Sequence, residues 1–410
     1  MYYRQPRYFG DFKCIGGTCT NSCCVGWRID WTAEEIDKVR NDPNCSEELK
    51  ALCDRSFIKI EGKEKYFVMT DVGGRCPFLT EDNFCRIQRE LGEEYLSFTC
   101  SIYPRHYVLA NDVLYRYCNM SCPEVMRRLL NDPKSMDLVN VAIKKAGTIK
   151  SVIQNTPKSL ANNPALKFRE ELMEFFYEII SDKKHDVETS IILGALAAQK
   201  LSQIAEKDAD GIPAAILAIR PQLHNGAQLK QIEAIKPNYN IKLGMASEML
   251  KKLFEINITS SFKDKTGALN IDLYKDGERR LAESFVGREF YLRNIALNLM
   301  LEFVVPFNFE GRTIFENYSI FAAAFAMFKL NVIATAELTE RASMYTGIEV
   351  TSSNLSVQAR VKVNTEKYIN KSASMISRNL CHNDKNAQLL LDELAANKMT
   401  SPAYIALLIK

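Results

Sequence analysis

Cysteine is distributed more unevenly than any other residue type in this chain, and the distribution constrains the fold. Eleven of the 12 cysteines lie between Cys14 and Cys122, and the rest of the 410 residues contain only Cys381. A chain of this length has room for two or three domains. The distribution predicts a cysteine-rich N-terminal domain followed by a longer, cysteine-poor domain.

The cellular compartment decides what so many cysteines do. The first residues, MYYRQPRYFGDFKC, lack the apolar core of a secretory signal, which predicts a cytoplasmic protein. In a reducing compartment, dense cysteines indicate a metal or an iron–sulfur cluster rather than disulfides. Lys329 and Asn331 interrupt the most apolar segment, Ser319 to Ala336, so we predict a buried helix there and expect no membrane partner.

Composition and charge exclude two classes of protein. Apolar residues make up 47% and charged residues 25% of the chain, which excludes a mainly disordered protein. The 53 basic and 50 acidic residues give a net charge of only +3, and no basic run occurs. Nucleic-acid-binding proteins usually carry a basic patch or a far more basic balance, so we expect no nucleic-acid partner.

Helical periodicity dominates the chain after Pro164, where apolar residues recur at every third or fourth position. This spacing predicts helices over residues 166–181, 187–207, 245–256, 282–303 and 387–397. Residues 131–160 are polar and contain the chain breakers Pro133 and Pro157, which predicts a linker. The predicted fold class is mainly α, with a small cysteine-rich α+β domain at 1–130 and a large helical domain at 161–410.

The N-terminal domain is predicted to contain short elements. Capping boxes begin at Thr32 and Ser121, and Ser46 is a suitable cap for a further helix. Alternating apolar residues and turn signals predict the remaining elements. These are a hairpin of residues 57–60 and 66–69, a helix over 85–96 and a strand over 113–117.

Nine cysteines are candidate metal ligands: Cys14, Cys19, Cys23, Cys24, Cys76, Cys85, Cys100, Cys118 and Cys122. Gly16 and Gly17 let the first loop wrap tightly, as thiolates must converge within about 2.3 Å of a zinc ion. A structural zinc and a four-iron cluster each take four thiolates, so nine allow one site with spares or two sites. Cys45 and Cys53 lie beside a short amphipathic helix and are predicted to be core residues.

The motifs around these cysteines resemble those of a known family. CIGGTCTNSCCVGWRI, CPFL, FCRIQ and TCSIYPR resemble the cysteine-rich zinc- or iron-chelating domain over about residues 8–130. The opening CIGG…CCVGW is similar to that of the flagellin lysine N-methylase family. The resemblance implies transfer of methyl groups from S-adenosylmethionine to lysine side chains of flagellin. It also implies an iron–sulfur cluster, of the four-iron type rather than zinc, with the helical domain contributing the methyl-transfer site.

Methyl transfer sets a requirement that no motif of the chain obviously meets. A lysine amine attacks only when neutral, and its deprotonation at pH 7 costs roughly 4–5 kcal/mol. Glu316, Asn317, Tyr318 and Tyr345 are suitable polar groups but are equally consistent with ordinary helix surface and core, and the same holds for His382. No glycine-rich fingerprint of the common methyltransferase sheet occurs. The base and the cofactor pocket therefore stay unassigned.

The role of a cluster and two other functions stay open. The Cys-x3-Cys-x2-Cys spacing of radical enzymes is absent, because the spacing here is x4 and then x3. A structural or ligand-binding cluster is therefore favoured over a radical initiator. The alternatives to a methylase are a metal-stapled adaptor that binds a protein without catalysis and an iron–sulfur electron carrier.

Overall fold

The computed structural model describes most of the chain. The described residues are 2–19, 22–25, 29–62, 65–68, 74–142, 152–256, 262, 266, 270–307, 309, 311–346, 357–397 and 400–410. In residues 337–346 and 357–365 only the backbone is described. Helices dominate this part of the chain, which confirms the mainly α fold class. The α-helices are α1 Arg7–Asp11, α2 Ala33–Arg40, α3 Glu47–Ser56, α4 Arg86–Glu90, α5 Phe98–Ile102, α6 Pro123–Asn131, α7 Pro157–Asn162, α8 Arg169–Ser181, α9 Val187–Lys207, α10 Ile212–Ile219, α11 Gly226–Glu233, α12 Tyr239–Phe254, α13 Ile271–Ser284, α14 Phe290–Glu302, α15 Ile314–Thr346, α16 Val357–Ile376, α17 Asp384–Ala396 and α18 Pro402–Ile409.

The strands form two small sheets. They are β1 Tyr2–Pro6, β2 Asp30–Thr32, β3 Phe57–Lys59, β4 Lys65–Val68, β5 Arg105–Ala110, β6 Val113–Cys118 and β7 Leu138–Ala142. One sheet has the order β5-β6-β1-β7, in which β1 runs parallel to β6 and the other pairs are antiparallel. The other sheet has the order β2-β4-β3 and is antiparallel throughout. In the described part of the chain, all the strands of both sheets lie before residue 143.

Two separate hydrophobic clusters form the core. The larger one extends from Tyr8 to Ile409 and joins the sheet of β1, β5, β6 and β7 to the helices after residue 164. The smaller one is built around Trp31, Leu49 and Phe78, within residues 29–100. The predicted division at residues 131–160 stays a prediction. The larger cluster shows that the four-stranded sheet packs against the helices after residue 164, and we call the sheet and these helices together the helical body.

The segment that contains the smaller cluster begins and ends at the same place on the helical body. Phe12, at the end of α1, belongs to the larger cluster, and β5 begins at Arg105. The Arg105 guanidinium lies 5.1 Å from the centre of the Phe12 ring, within cation–π distance. Residues 13–104 are therefore an insertion whose two ends lie close together. We call this insertion the cysteine subdomain.

Local capping signals predicted several elements well. Thr32 and Glu35 form the reciprocal capping box of α2, and the Ser46 side chain caps α3. The hairpin is confirmed by the antiparallel pairing of β3 with β4, although Met69 lies outside the described residues. The predicted helix over 187–207 matches α9 at both ends.

Three other predictions were wrong in detail. The helix predicted over 85–96 ends at Glu90, because the chain turns at Gly92, whose φ of 109° favours glycine. The helix predicted over 282–303 is two helices, α13 and α14, separated by a turn that contains Gly287 at a φ of 73°. The Ser121 capping box does not form, since the N-cap of α6 is Cys122.

Helix α15 forms the centre of the helical body. Residues Ile314–Ala336 are long and apolar enough to cross a membrane, but 83% of the most apolar window is buried inside the structure. The predicted buried helix over 319–336 is therefore confirmed. Lys329, which interrupts its apolar surface, pairs with Glu188 at 3.0 Å and Glu278 at 3.2 Å. Burial next to these two carboxylates explains how a charged residue is tolerated in the core.

We predict that Gly194→Ala destabilises the helical body. Gly194 lies in α9, where an added Cβ would overlap the hydroxyl and ring of the fully buried Tyr318 on α15. Overpacking of this kind should lower the free energy of unfolding by about 1–3 kcal/mol in urea denaturation. Gly244→Ala is the matched control, because no atom lies within 4 Å of the position that an added Cβ would take, and it should stabilise α12 by about 0.5–1 kcal/mol. Equal stability of the two variants would contradict this packing.

Candidate metal centre and the pocket beside it

Seven of the nine candidate cysteines line one cavity of about 470 Å³. They are Cys14, Cys19, Cys23, Cys24, Cys85, Cys100 and Cys122. The cavity lies where the cysteine subdomain meets the first turn of α6. Among the described residues, no three cysteine sulfurs lie within 4.8 Å of one another. The thiols are therefore spread over the cavity wall rather than gathered at one point.

Glycine shapes the first loop of the cavity. Gly16 begins a short 3₁₀ turn at a φ of 55°, and its N–H lies 3.4 Å from the Cys14 sulfur. A Cβ on Gly16 would meet the Phe84 ring, and a Cβ on Gly17 would meet the Asp82 carbonyl. The loop can approach the segment around Phe84 this closely only because neither residue has a side chain.

Four of the cysteines form an inner set: Cys24, Cys76, Cys85 and Cys100. The Cys76 N–H donates to the Cys24 carbonyl at 2.8 Å, and Cys85 is held by a bridge to Leu79. Burial raises the pKa of Cys76, and the neighbouring thiols Cys24, Cys100 and Cys85 raise it further. Burial also raises the pKa of Cys100 to about 12, with smaller contributions from Cys24 and Cys85. These four thiols are thus mutual neighbours inside the cysteine subdomain.

The other four form an outer set at the junction with α6: Cys14, Cys19, Cys23 and Cys122. Cys122 is the N-cap of α6, and burial raises the pKa of its thiol to about 11. Cys19 and Cys14 raise this pKa further, which places them beside Cys122 although they are more than 100 residues away in sequence. Cys14 is exposed and Cys19 and Cys23 are half-buried. Cys122 is buried, so the exposure of the outer set decreases from Cys14 to Cys122.

The adjacent Cys23 and Cys24 connect the two sets. Their sulfurs share a hydrogen bond, which raises the pKa of Cys23 and lowers the pKa of Cys24. The Arg75 guanidinium also lowers the pKa of Cys24. Cys24 is therefore the thiol of the pair that ionises first. A thiolate is the form that binds a metal.

The remaining cysteines lie away from the cavity. Cys118 is fully buried in β6 within the larger hydrophobic cluster and does not line the cavity wall. Cys45 and Cys53 are buried in the smaller cluster, where the sequence predicted core residues. Cys381 is hydrogen-bonded to the buried Glu302 carboxylate. In the described residues, the candidate ligands thus divide into eight clustered thiols and Cys118, which does not line the cavity.

A second, smaller pocket of about 270 Å³ adjoins the cysteine cavity. Its walls come from the cysteine subdomain, the turn before α6 and the π-helical turn Ser377–Cys381 with the residue after it. The residues used below are Cys23, Tyr103, Ser121, Arg378, Asn379 and His382. Cys23 and Tyr103 line both cavities and so form the wall between them.

A chain of hydrogen bonds runs along the wall of the small pocket. The Tyr103 hydroxyl and the His382 Nε2 each lie 3.0 Å from the Ser121 hydroxyl. The Asn119 amide donates to the Nε2 atoms of His106 and His382 at 2.9 and 3.0 Å. Because an amide nitrogen can only donate, each imidazole accepts at Nε2 and keeps its proton on Nδ1 when neutral.

Both imidazoles are held in the neutral form. Desolvation by surrounding protein atoms lowers the pKa of His106 to about 4, and the nearby His382 adds to the effect. Desolvation and the Arg378 guanidinium lower the pKa of His382, although this residue is exposed to solvent. Sequence reasoning had left His382 unassigned, because its partners Asn119 and Ser121 lie more than 260 residues away.

Glu302 fixes the π-helical turn against the start of α6. Its buried carboxylate accepts hydrogen bonds from the Met120 N–H at 2.7 Å, Ser377 Oγ at 2.6 Å and Asn298 Nδ2 at 2.9 Å. Ser377 Oγ also accepts a hydrogen bond from the Ser121 N–H at 3.2 Å. Glu302 therefore holds together the two segments that carry Ser121 and His382.

Titration of Glu302 is expected to make stability depend on pH. Burial raises the pKa of Glu302 from 4.5 to about 7, so the folded state favours the protonated carboxyl. The resulting stabilisation is full below pH 4.5, and about 3 kcal/mol is lost as the pH rises through 7. In urea denaturation between pH 4 and 8, the difference in the free energy of unfolding between the intact protein and Glu302→Gln should change by about this amount, because His106 and His382 titrate alike in both proteins. The difference between the intact protein and Glu316→Gln should not change with pH. A difference for Glu302→Gln that is the same at every pH would contradict the assignment.

The candidate polar groups of α15 have structural roles. Glu316 forms a capping box with Thr313, the amide of Asn317 holds Phe309, and the buried Tyr318 hydroxyl donates to the Ile191 carbonyl. The Tyr345 side chain lies outside the described residues. None of the three described groups lines the cysteine cavity or the small pocket.

A larger cavity in the described part of the chain carries none of the predicted site residues. It has a volume of about 1060 Å³ and is an open groove with mixed charges, lined by parts of α8, α14 and the α8–α9 turn. Beside it, Asp182, His185 and His224 place potential ligand atoms within 4.8 Å of one another. No sequence motif predicts that these three residues lie together, because His224 is 39 residues from His185. The trio is partly exposed and far from the thiols in sequence.

Comparison with known proteins gives relatives for part of the chain. Residues 173–408 match the family model of the FliB lysine N-methylase C-terminal domain. Two similar proteins, from Salmonella choleraesuis and Salmonella typhimurium, are each named "Lysine-N-methylase" and are 26% identical over 253 residues. Each match covers 60% of this chain and 59% of the relative, so the shared part is under two thirds of those proteins.

A further relative is similar over a shorter region. The "Flagellar biosynthetic protein FliU" of Salmonella muenchen is 32% identical over 138 residues, which cover 33% of this chain and 80% of the relative. No solved structure matches the chain. The family model includes the π-helical turn with Arg378 and His382 and spans more than half of the chain. The chain therefore belongs to the FliB lysine N-methylase family.

Proposed function

We propose that the protein transfers methyl groups from S-adenosylmethionine to lysine side chains of flagellin in the cytoplasm. The observation that carries the proposal is the junction of two parts of the chain. Seven thiols line a cavity that shares a wall with a pocket, and Arg378, Asn379 and His382 of that pocket belong to the region of the FliB family model. The names of the relatives support the lysine and the flagellar parts of the proposal.

The thiols suit an iron–sulfur cluster better than a lone zinc ion. A zinc ion needs four sulfurs at about 2.3 Å from one centre, whereas the irons of a cluster each take their own thiolate. Sulfurs spread over the wall of a cavity of about 470 Å³ fit the second arrangement. We assign the cluster to the outer set, Cys14, Cys19, Cys23 and Cys122, because all four of its thiols line this cavity, whereas Cys76 of the inner set does not.

The inner set is proposed to hold the cysteine subdomain together. Cys24, Cys76, Cys85 and Cys100 come from four separate segments around the smaller hydrophobic cluster. That cluster is small, and small domains commonly depend on metals or disulfides for stability. A second metal centre at the inner set would join these segments. A cluster, when bound at the outer set, would order the loops that form the cavity wall.

The transfer itself is a displacement at carbon. A neutral lysine nitrogen forms a bond to the methyl carbon while the bond from that carbon to the sulfonium sulfur breaks. The products are a methylated lysine and a neutral thioether, and one proton is released. The protein must therefore hold the amine neutral and exclude water around it.

Anaerobic purification followed by a transfer assay tests this function. The protein should contain iron and acid-labile sulfide and should transfer labelled methyl groups from S-adenosylmethionine to purified flagellin. Flagellin whose lysines have been blocked by acetylation is the control and should accept no label. Reversible reduction of the protein without transfer would favour an electron carrier. Stable binding of flagellin without transfer would favour an adaptor, and either result would contradict the proposal.

A further inference from the structure

We propose that the small pocket binds the α-carboxylate of the methyl donor through an ion pair with Arg378. The inference rests on the proposed function, because that function supplies the ligand. It adds where the donor lies and which group of the donor is recognised. The pocket is formed by the cysteine subdomain on one side and the π-helical turn on the other.

Arg378 is placed to receive an anion. Its side chain is half-buried in the pocket wall, and no carboxylate of the described residues lies within ion-pair distance of it. Other half-buried arginines, such as Arg86 and Arg312, do have a carboxylate partner. A guanidinium that is partly removed from water gains most from a planar carboxylate, which it can bind through two parallel hydrogen bonds.

The neighbours of Arg378 favour a carboxylate and do not compete for the guanidinium. His382 is neutral and uses Nε2 as an acceptor, so its remaining nitrogen is a donor. The Asn379 amide nitrogen is occupied by the Met375 carbonyl at 2.9 Å. The Ser121 hydroxyl adds a further polar group. The pocket thus combines one positive charge with neutral hydrogen-bonding groups.

The wall between the two cavities suits the other charge of the donor. S-adenosylmethionine carries a sulfonium cation separated from its carboxylate by a short alkyl chain. Tyr103 lines both cavities, and an aromatic ring attracts a cation placed over its face. A donor anchored at Arg378 can therefore bring its sulfonium to Tyr103 and Cys23, beside the outer set of thiols. This position lies at the junction where the target lysine must enter.

Binding of two donors to two proteins tests the ion pair directly. Calorimetry compares S-adenosylmethionine with its decarboxylated analogue, using the anaerobically purified full-length protein and its Arg378→Met variant. The intact protein should bind S-adenosylmethionine roughly 10- to 100-fold more tightly than the analogue, as expected for a charge-assisted hydrogen-bonded pair. Arg378→Met should bind both ligands alike, because the discriminating partner is gone. Iron content should be unchanged.

Control variants separate binding from folding and from general charge. Arg378→Lys should restore part of the discrimination, and Arg279→Met, on the exposed face of α13, should leave the binding ratio unchanged. Circular dichroism and iron content show whether each variant is folded. If Arg378→Met discriminates between the donors as the intact protein does, or if the intact protein does not discriminate, the proposed carboxylate site is wrong.

Three further outcomes identify other errors. Inorganic phosphate that displaces S-adenosylmethionine from the intact protein, while the analogue binds equally well, would show a general anion site and overturn the carboxylate assignment. If the intact protein methylates flagellin but its affinity for the donor does not depend on Arg378, the proposed function stands and the proposed carboxylate site is wrong. If the protein neither binds the donor nor methylates flagellin, both the proposed function and the proposed carboxylate site are wrong.

Discussion

Replacement of residues 13–102 by a short glycine–serine linker should leave the helical body folded and reduce methyl transfer to background. The segment carries the whole smaller hydrophobic cluster, whereas the larger cluster includes Phe12 and resumes at β5. The contact between Phe12 and Arg105 shows that a short linker can join the cut ends. Removal of the segment deletes three of the four outer thiols and disrupts the wall of the small pocket beside Tyr103.

Four measurements check this result. Circular dichroism and thermal unfolding should show a cooperative helical protein, and the transfer assay should show no label on flagellin. Iron analysis should show the loss of the cluster. Full transfer by the shortened protein would mean that the cysteine subdomain has only a structural role. Aggregation of the shortened protein would show instead that the two hydrophobic clusters depend on each other.

Serine substitutions in the two thiol sets should have different effects. Cys19→Ser and Cys23→Ser, in the outer set, should lose about four irons and the matching sulfide while the protein stays folded. Cys76→Ser and Cys100→Ser, in the inner set, should loosen residues 29–100, because the small cluster has little apolar area of its own. Limited proteolysis should therefore cleave the inner-set variants faster than the outer-set variants.

Controls for this comparison come from cysteines outside the cavity. Cys45→Ala, in the smaller cluster, should keep its iron and lose about 1–2 kcal/mol of packing free energy. Cys118→Ala, in the larger cluster, should also keep its iron, because Cys118 does not line the cavity. Loss of iron in Cys118→Ala, or equal iron in the Cys19→Ser and intact proteins, would show that the ligand assignment is wrong.

Sequence reasoning succeeded where the determining interactions are local. The capping box of Thr32 with Glu35 and the periodicity of α9 depend on residues within one or two turns, so helix type and start could be predicted. The strands β1, β5 and β7 were missed, because they are short and stabilised by pairing partners far away in sequence. The Ser121 box failed for a related reason. The Ser121 hydroxyl is used by Tyr103 and His382 instead.

The candidate site shows the same limit. Spacing identified the cysteines that line the cavity, since four of them lie within eleven residues of one another. It could not divide them into two sets, because Cys122 reaches Cys14 and Cys19 only through the placement of α6. Arg378 and His382 carry no motif, and their relation to Cys23 arises from the packing of the π-helical turn against the cysteine subdomain. Such contacts require the tertiary structure.

The central claim is that this protein methylates lysines of flagellin, and peptide mass spectrometry tests it most directly. Flagellin is incubated with the anaerobically purified protein and S-adenosylmethionine that carries a deuterated methyl group, then digested and sequenced. We predict lysine residues that carry the deuterated methyl group in the reaction with the intact protein and none in the reaction with Cys23→Ser. Flagellin that carries no deuterated methyl group in the reaction with iron-loaded intact protein would contradict the account.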